Sequence, residues 1–152
     1  AWLEQRPFVH WPLTVAQVVG LGRLPHGDLN SSAAQHIIDA ALAATDTFGL
    51  QARAFHTLSE GEKMRVHLAR ALAGAPRIVL ADEPTGSLDY ATGETIMALM
   101  LALNQEQGTT LVLVTHDRGI AARCSRVFTM EAGRLRESAQ ADLEGTATAA
   151  AG

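Results

Sequence analysis

Residues 78–89 read IVLADEPTGSLD, in which an apolar run ends in two adjacent carboxylates and a Pro-Thr-Gly turn. The run at 78–81 is rich in β-branched residues, which predicts a short strand buried on both faces. The acids that follow it, Asp82 and Glu83, repel each other, and burying either without compensation is costly. This stretch therefore predicts a strand that presents two carboxylates to a positively charged ligand.

The segments around this strand alternate between helix and strand. Upstream, SEGE at 59–62 is an S-x-x-E capping box, which predicts a helix ending near the Gly-Ala-Pro sequence at 74–76. Downstream, residues 90–107 predict a helix that ends at Gly108, and TTLVLV at 109–114 predicts a second buried strand. A short helix to about Cys124 and a strand at 126–130 complete a predicted parallel α/β sheet with right-handed crossovers.

Three more elements are predicted in the first third of the chain. Residues 1–3 are apolar and strand-like, and residues 13–21 predict a short helix with Thr14 as its cap. Glycines and a proline then predict a break between 20 and 27. A second helix is expected from Ser31 or Ser32 to about Phe48, with Gly49 as its stop.

The composition of the 152-residue chain argues against several kinds of site. Its one cysteine, Cys124, allows neither an intrachain disulfide nor a cysteine-built zinc site. The net charge of −4 gives no reason to expect nucleic-acid binding, and the longest apolar run, at 96–103, is far shorter than a membrane span. Five histidines lack paired metal-ligand spacing and are predicted to be surface or packing residues: His10, His26, His36, His56 and His67.

Polar side chains follow both predicted core strands. Ligands of parallel sheets bind at the carboxyl ends of the strands, where Asp82-Glu83 and His116 are placed. Asp89 lies in the next turn, and the helix that begins after Ser59 offers free amides to an anion. Acids for a metal, amides for a phosphate and a histidine beside a water indicate phosphoryl transfer.

Four ordered motifs resemble those of the ATP-binding cassette (ABC) ATPases. LSEGE at 58–62 is similar to the LSGGQ signature, RIVLADEP at 77–84 to the Walker B strand, GSLD at 86–89 to the D-loop, and VTHD at 114–117 to the switch-histidine loop. Gln5 falls where the Q-loop glutamine belongs. The resemblance covers about residues 1–137 and implies the P-loop NTPase fold of ABC type, with a mostly parallel sheet, helices on both faces and a helical signature subdomain.

This resemblance implies a subdivision of the chain. Residues 7–75 would form the helical subdomain, residues 76–137 a portion of the catalytic core, and residues 138–152 a disordered tail. Walker A, G-x-x-x-x-G-K-[ST], lies upstream of the Q-loop in the family and is absent from this sequence. We therefore expect a fragment that lacks its N-terminal Walker A part and is inactive as an ATPase alone.

The resemblance also implies roles within one nucleotide site. Asp82 would hold Mg²⁺ through its water shell, because a hard cation prefers carboxylate and water oxygens. Glu83 would polarise the attacking water, and His116 would hydrogen-bond the γ-phosphate of ATP and orient that water. Gln5 would sense the metal and the water and link the helical subdomain to the core.

A second group of residues would act across a head-to-tail dimer of ABC ATPase subunits. Asp89 would contact the opposite subunit, while Ser59 and the amide of Gly61 would cap the γ-phosphate bound by that subunit. Glu60 replaces the first glycine of the signature and brings a negative charge close to this phosphate. Either Glu60 points away, or the signature is weakened; both interpretations remain open from the sequence.

The class of transporter is predicted from two stretches that disagree. LTVAQVVGLGRLPHG at 13–27 resembles the permease-docking segment of iron–siderophore, haem and cobalamin importers, whereas LADEPTGSLD at 80–89 is similar to lipoprotein-release and macrolide-export ATPases. We favour metal-chelate import at the cytoplasmic face of the membrane, with permease subunits and a substrate-binding protein as partners. The alternatives are such an exporter, a non-transport ABC ATPase of DNA repair or translation, and a silent fragment.

Overall fold

The strand predicted at 78–81 forms the centre of a three-stranded parallel sheet in the computed structural model. This strand, β2 (Ile78–Asp82), lies between β1 (Trp2–Leu3) and β3 (Thr110–Val114). The helix α4 (Tyr90–Gln107) connects β2 to β3 and ends at Gly108, which has a φ of +62°. The predicted parallel α/β arrangement around the two acids is confirmed for these strands.

The structure describes residues 1–3 and 12–138. They belong to two units, Ala1–Val114 and Thr115–Gly152. Gln5 and His10 lie outside the described residues, as does the predicted tail from 139 onward. The division into a helical subdomain at 7–75 and a core portion at 76–137 stays a prediction. No helix in the described part of the chain is long and apolar enough to cross a membrane.

Three helices precede β2 and pack on one another: α1 (Val15–Gly20), α2 (Ser32–Ala44) and α3 (Glu60–Ala73). Thr14 caps α1 more completely than expected, because its hydroxyl accepts the N–H of Gln17 and the Gln17 side chain accepts the N–H of Thr14. Fully buried aliphatic side chains fill the space between these helices: Val15, Val18, Val19, Leu42 and Val66.

Two helix boundaries differ from the prediction. The helix expected to reach Phe48 ends at Ala44, where the buried Thr45 hydroxyl donates to the Ala41 carbonyl at 3.0 Å. Asp46 follows with a φ of +52°, so the chain leaves the helical path there. After α1, the chain does not break at Gly20 but continues as a 3₁₀ helix, Leu21–His26, until Gly27 takes a left-handed conformation.

The prediction that β2 and β3 are buried on both faces is wrong for the described residues. In β2, Val79 and Ala81 are buried, whereas Ile78 and Leu80 are 51% and 38% exposed. The reason is that α3 and α4 cover only the face of Val79, where Leu68 and Met100 line a small cavity. Val112 and Val114 of β3 are likewise exposed on the other face.

The second unit contains one short helix and a hairpin. The helix α5 (Arg118–Ala121) begins after Asp117, and β4 (Val127–Glu131) pairs antiparallel with β5 (Arg134–Ser138). The strand predicted at 126–130 therefore forms, but it does not join the parallel sheet. The two-residue turn at Ala132 and Gly133, whose φ angles of +49° and +75° suit a tight hairpin, favours the pairing of β4 with β5 instead.

Candidate functional site

The two acids of the candidate site stand where β2 ends. Asp82 is the last residue of the strand and pairs in register with Val114 of β3. The backbone N–H of Glu83 donates to the Val114 carbonyl at 2.9 Å, and Glu83 has a φ of +44°. Both acids are half-buried. Non-glycine residues held at positive φ cluster at functional sites, because only a surrounding structure that fixes them can maintain the strain.

Two successive turns carry the chain from Glu83 to the next helix. The N–H of Gly86 donates to the Glu83 carbonyl at 3.0 Å, and the N–H of Leu88 donates to the Thr85 carbonyl at 3.0 Å. Pro84 is fully buried beneath these turns. Asp89 is thereby placed at the N-terminus of α4, at the far end of the same short loop as the two acids.

Asp89 caps α4 and remains exposed. Its carboxylate accepts the backbone N–H of Thr92 at 3.0 Å. Hydrogen bonds from the hydroxyl and the amide of Thr92 hold the pKa of Asp89 below its usual value. Helix capping is therefore a structural role that Asp89 fills within this chain, and a contact with a second subunit would be additional to it.

The helix start predicted at Ser59 has the expected reciprocal bonds. The Ser59 hydroxyl accepts the N–H of Glu62 at 3.3 Å, and the Glu62 carboxylate accepts the N–H of Ser59 at 2.8 Å. These bonds hold the pKa of Glu62 below its usual value, with a smaller contribution from Arg53. Ser59 is exposed, and a hydroxyl that accepts one bond still has a proton to donate, so this side chain is able to bind an anion.

The charge of Glu60 is paired inside its own helix. The Lys63 ammonium lies 2.6 Å from the Glu60 carboxylate, one helical turn away, and the Glu60 side chain is 53% exposed. Arg65, further along α3, is engaged by Asp46 at 2.9 Å. Lys63 thus offsets the negative charge that Glu60 brings to the signature sequence. This is a third possibility, beside a Glu60 that points away and a signature that is weakened.

The signature turn and the D-loop turn lie against each other. A Cβ atom added at Gly61 would lie 2.6 Å from Cγ2 of Thr92, so the first turn of α3 touches the first turn of α4. The structure thus brings together Ser59 and Gly61 on one side and Asp89 on the other. Asp82 and Glu83 lie at the opposite end of the short loop that Asp89 closes.

Two predicted site residues remain, Gln5 and His116. Gln5 lies outside the described residues, and His116 belongs to the second unit, two residues beyond Val114 in the chain. Around His116, the Thr115 hydroxyl accepts the N–H of Asp117 at 3.0 Å. Asp117 caps α5 by accepting the N–H groups of Gly119 and Ile120 at 2.7 and 3.1 Å. These local bonds fix the turn that carries His116.

One polar cluster was not predicted from the sequence. The Arg23 guanidinium, 7% exposed, forms a forked pair with Asp28 at 3.1 and 2.5 Å and donates to the Ala73 carbonyl at 2.9 Å. His26 bonds the Gly74 carbonyl at 3.0 Å. Both side chains satisfy carbonyls at the C-terminus of α3, where cations are favoured. No local pattern signals these contacts with α3, because Arg23 and Ala73 lie 50 residues apart in the chain.

His67 is a packing residue, as predicted. Its ring meets that of Phe55 edge-on, with centroids 5.0 Å apart, and neither ring nitrogen has a hydrogen-bond partner among the described residues. Burial, with a smaller contribution from the positive charge of Arg70, lowers the pKa of His67 from 6.5 to about 3. A neutral imidazole in this apolar contact supports α3 and the segment that precedes Ser59.

The donor set at β2 can be tested against Mg²⁺. Within residues 1–3 and 12–138, no group of three or more His, Cys, Asp or Glu side chains is placed to hold a metal ion. Mg²⁺ commonly keeps several waters and takes one or two carboxylates together with substrate phosphates, and Asp82 at a strand end fits that requirement.

Comparisons with known proteins agree with the motifs. The lipoprotein-releasing system ATP-binding protein LolD of Xanthomonas euvesicatoria is 51% identical over 102 residues, which are 65% of this chain and 42% of LolD. The ABC transporter ATP-binding protein YbbA of Escherichia coli K12, whose function is uncharacterised, is 48% identical over 66% of this chain and 46% of its own length. The macrolide export ATP-binding/permease protein MacB of Rhodospirillum rubrum is also 48% identical, over 66% of this chain and 16% of MacB.

Solved structures share the fold over nearly all of the chain. One, described as a metal-chelate type ABC transporter in an inward-facing conformation, has a TM-score of 0.84 at 25% identity and covers 93% of this chain and 58% of that chain. CbiO1 of Clostridium perfringens, part of the ABC transporter complex cbiONQ, has a TM-score of 0.81 at 28% identity, with 97% and 60% covered. The P-loop NTPase fold of ABC type is thereby confirmed.

The chain spans less than half the length of the three curated relatives. A profile described as ABC transporter matches residues 1–86, from β1 through the Walker B acids to the glycine of the following turn. That match covers more than half of the 152 residues, and the chain accordingly belongs to the ABC transporter family.

Proposed function

We propose that this chain is part of the ATP-binding and ATP-hydrolysing subunit of an ABC transporter. The observation that carries the proposal is the conformation of Glu83, which stands at the end of β2 with a φ of +44° and its N–H on the Val114 carbonyl. The hydrogen bond ties the backbone of Glu83 to β3 and so restrains the point from which its side chain projects. A general base requires such restraint of its position.

The two acids would divide the work at one nucleotide. Glu83 would accept a proton from the attacking water, because this residue is half-buried and its backbone is held at the strand end. Asp82 would hold Mg²⁺ together with water and phosphate oxygens; when bound, the ion neutralises phosphate charge during transfer. His116, on the turn after β3, would hydrogen-bond the terminal phosphate, and Gln5 would sense the metal-bound water.

The signature turn would act on the nucleotide of a second subunit. The Ser59 hydroxyl retains a proton to donate, and the first amides of α3 are directed out of the helix N-terminus. Lys63 pairs with the carboxylate of Glu60, and Arg53 lies 3.5 Å from that of Glu62, so each acid of the turn has a cation beside it. Ser59 and the Gly61 amide would therefore bind the phosphate in a head-to-tail dimer, and the exposed Asp89 would contact the opposite subunit.

For the transported substrate, sequence identity favours a class other than the importers predicted from residues 13–27. The identities of 48–51% are to proteins named for lipoprotein release and macrolide export, and to YbbA. The metal-chelate type transporter and CbiO1 share 25% and 28% identity with this chain, which supports the fold more than the substrate. We therefore propose lipoprotein release or macrolide export first, with ATPase subunits bound to transmembrane permease subunits at the cytoplasmic face of the membrane.

Metal-chelate import remains a second candidate, because the segment at 13–27 resembles the docking helix of that class. In the structure this segment is α1 followed by the 3₁₀ helix Leu21–His26, in which Leu24 is 58% exposed. Val18 and Val19 are fully buried, so they support this segment from beneath and do not themselves contact a permease. Import would add a substrate-binding protein to the partners; neither class calls for nucleic acid.

The test of the ATPase proposal is steady-state phosphate release by the protein in a form that carries a G-x-x-x-x-G-K-[ST] loop, purified without contaminating ATPases. The 152-residue chain, whose sequence has no such loop, is the matched control and should release no phosphate. Equal activity in the two forms would contradict the proposed mechanism. Crosslinking from Leu24→Cys to co-expressed permeases of the export and import types would then distinguish the two classes.

A further inference from the structure

Gly61 and Thr92 form a contact that the motifs do not explain. Thr92 stands in the first turn of α4, three residues after the Asp89 cap, and Gly61 stands in the first turn of α3, two residues after the Ser59 cap. A Cβ atom at Gly61 would lie 2.6 Å from Cγ2 of Thr92, closer than carbon atoms approach each other. The space that any larger residue would need at position 61 is already filled by this methyl group.

The backbone of Thr92 is fixed at the start of α4. Its N–H donates to the Asp89 carboxylate at 3.0 Å, while its methyl group lies against Gly61. A threonine in a helix also has few χ1 rotamers available.

The first turn of α4 is itself fixed on its other side. A Cβ atom at Gly93 would lie 3.3 Å from Cβ of Thr85, so this turn of α4 also packs closely against the loop that follows Glu83. Thr85 in turn accepts the N–H of Leu88 with its carbonyl at 3.0 Å. The first turn of α4 thus packs on the loop that follows Glu83, and Thr92 of the same turn contacts the signature turn.

We propose that Thr92 is a positioning residue for the Ser59–Gly61 turn: its methyl group sets where the signature turn stands, and glycine is required at 61 to admit that methyl. This inference rests on the proposed function, in which Ser59 and Gly61 bind the phosphate of a partner subunit. It differs from the explanation that Gly61 is small only so that its backbone can approach that phosphate. The two explanations predict different double mutants.

The test uses Gly61→Ala alone and combined with Thr92→Ser or Thr92→Val. Serine keeps the hydroxyl and removes the methyl, whereas valine keeps a methyl and removes the hydroxyl. All variants are made in the Glu83→Gln protein that carries a phosphate loop, so that bound ATP is retained. Thermal melting measures the contact, and sedimentation with ATP and Mg²⁺ measures nucleotide-driven association. Gly49→Ala, where nothing lies within 4 Å of an added Cβ, is the control.

We expect Gly61→Ala to lower the melting temperature by roughly 3–10 °C and to weaken association roughly ten- to hundredfold. Thr92→Ser should restore both values, to within about 2 °C and about threefold, because alanine then has room. Thr92→Val should restore neither. If Gly61→Ala is insoluble, recovery of soluble, associating protein in the Thr92→Ser double mutant replaces the melting comparison.

Two results would overturn the proposal. Restored melting without restored association would mean that glycine is needed for approach to the phosphate and that Thr92 does not position the turn. If Thr92→Ser restores neither the melting temperature nor the association of Gly61→Ala, the methyl group of Thr92 does not limit the residue at position 61. If the parent protein does not associate with ATP, the proposed function fails, and the melting series still decides whether the Gly61–Thr92 contact exists.

Discussion

The backbone N–H of Glu83 donates to the carbonyl oxygen of Val114 at 2.9 Å, so the acid after β2 is held by the last residue of β3. Glu83 takes a φ of +44°, in a region that costs a non-glycine residue about 1–2 kcal/mol. The hydrogen bond continues the β2–β3 pairing by one residue, but the positive φ ends the extended conformation at Glu83. Its side chain therefore does not follow the alternation of the residues in β2. The strain and the proposed chemistry fall on the same residue.

Replacing Glu83 by glutamine should separate binding from turnover. Gln keeps the size and hydrogen-bonding capacity of Glu but loses its basicity, and general bases contribute about 10²–10⁴-fold in rate. In the protein that carries a phosphate loop, we expect phosphate release to fall at least about a hundredfold. Association driven by ATP should be retained or strengthened. A Glu83→Gln protein that hydrolyses ATP within a few-fold of wild type would remove Glu83 from the catalytic role.

Asp82→Asn is the matched comparison, because it changes the neighbouring acid in the same way. Removing charge from the proposed metal shell should lower Mg²⁺–ATP affinity and turnover together. Titration of nucleotide association against Mg²⁺ measures this directly. If Asp82→Asn changes only the melting temperature and leaves the Mg²⁺ dependence intact, Asp82 is a structural acid and the metal assignment is wrong.

The elements that the sequence predicted well are those determined by neighbouring residues. The cap at Thr14, the helix start at Ser31 and the capping box at Ser59 are set by residues within one helical turn. The order of α4 between two parallel strands follows from the alternation of apolar segments. These local rules are sufficient to place Asp82 and Glu83 at the end of a central strand.

The features that the sequence did not predict depend on distant partners or on covered faces. Arg23 acts on Ala73, 50 residues away, and no periodic pattern links the two. The apolar run of β2 looks the same whether one face or both are covered, so the exposure of Ile78 and Leu80 could not be predicted. The Ala132-Gly133 turn lacks the Asn-Gly or Asp-Gly pair that most strongly signals a hairpin.

Lys63 should control how far Glu60 weakens the signature turn. Lys63→Gln removes the ammonium that lies 2.6 Å from Glu60, so we expect ATP-driven association to weaken about two- to fivefold at low salt. Glu60→Gln should strengthen association, and it should abolish the effect of the Lys63 change when the two are combined. Raising the salt concentration should reduce both effects, because exposed charges are screened.

The control for this series is Arg65→Gln, which removes a cation of the same helix that pairs with Asp46 at 2.9 Å. Because that pair does not involve Glu60, its loss should not depend on the residue at position 60. An equal response of association to Lys63→Gln and Arg65→Gln would indicate a general field of positive charge. It would contradict a specific role of Lys63 toward Glu60.

Arg23 should be worth far more to stability than a surface arginine. Its guanidinium is nearly buried and makes a forked pair with Asp28 and a bond to the Ala73 carbonyl, a geometry that lysine cannot reproduce. We expect Arg23→Lys to lower the melting temperature by roughly 4–10 °C. Arg126→Lys, at an exposed pair with Glu137, should change it by less than about 2 °C. Similar changes in melting temperature for the two variants would show that the buried contacts of Arg23 add no more stability than an exposed ion pair.

His67 should make the folded protein sensitive to mild acid. Burial lowers its pKa from 6.5 to about 3, so between these values the unfolded chain binds a proton that the folded chain does not. The stability that the neutral ring contributes is therefore fully present above pH 6.5 and is lost as the pH falls from 6.5 toward 3. The loss for this one residue approaches about 1.4 kcal/mol per pH unit within that window.

The measurement is the free energy of unfolding from pH 7.5 to 4.5 for wild type and His67→Leu. Leucine has a similar volume and no ring nitrogens, which in His67 have no partner among the described residues. We expect the variant to match or exceed wild type at neutral pH, because two unsatisfied polar atoms are removed. Its stability should also fall less steeply below pH 6.5. His56→Gln, at an exposed position, should retain the wild-type slope. Equal slopes for all three proteins would show that His67 does not stay neutral in the folded state.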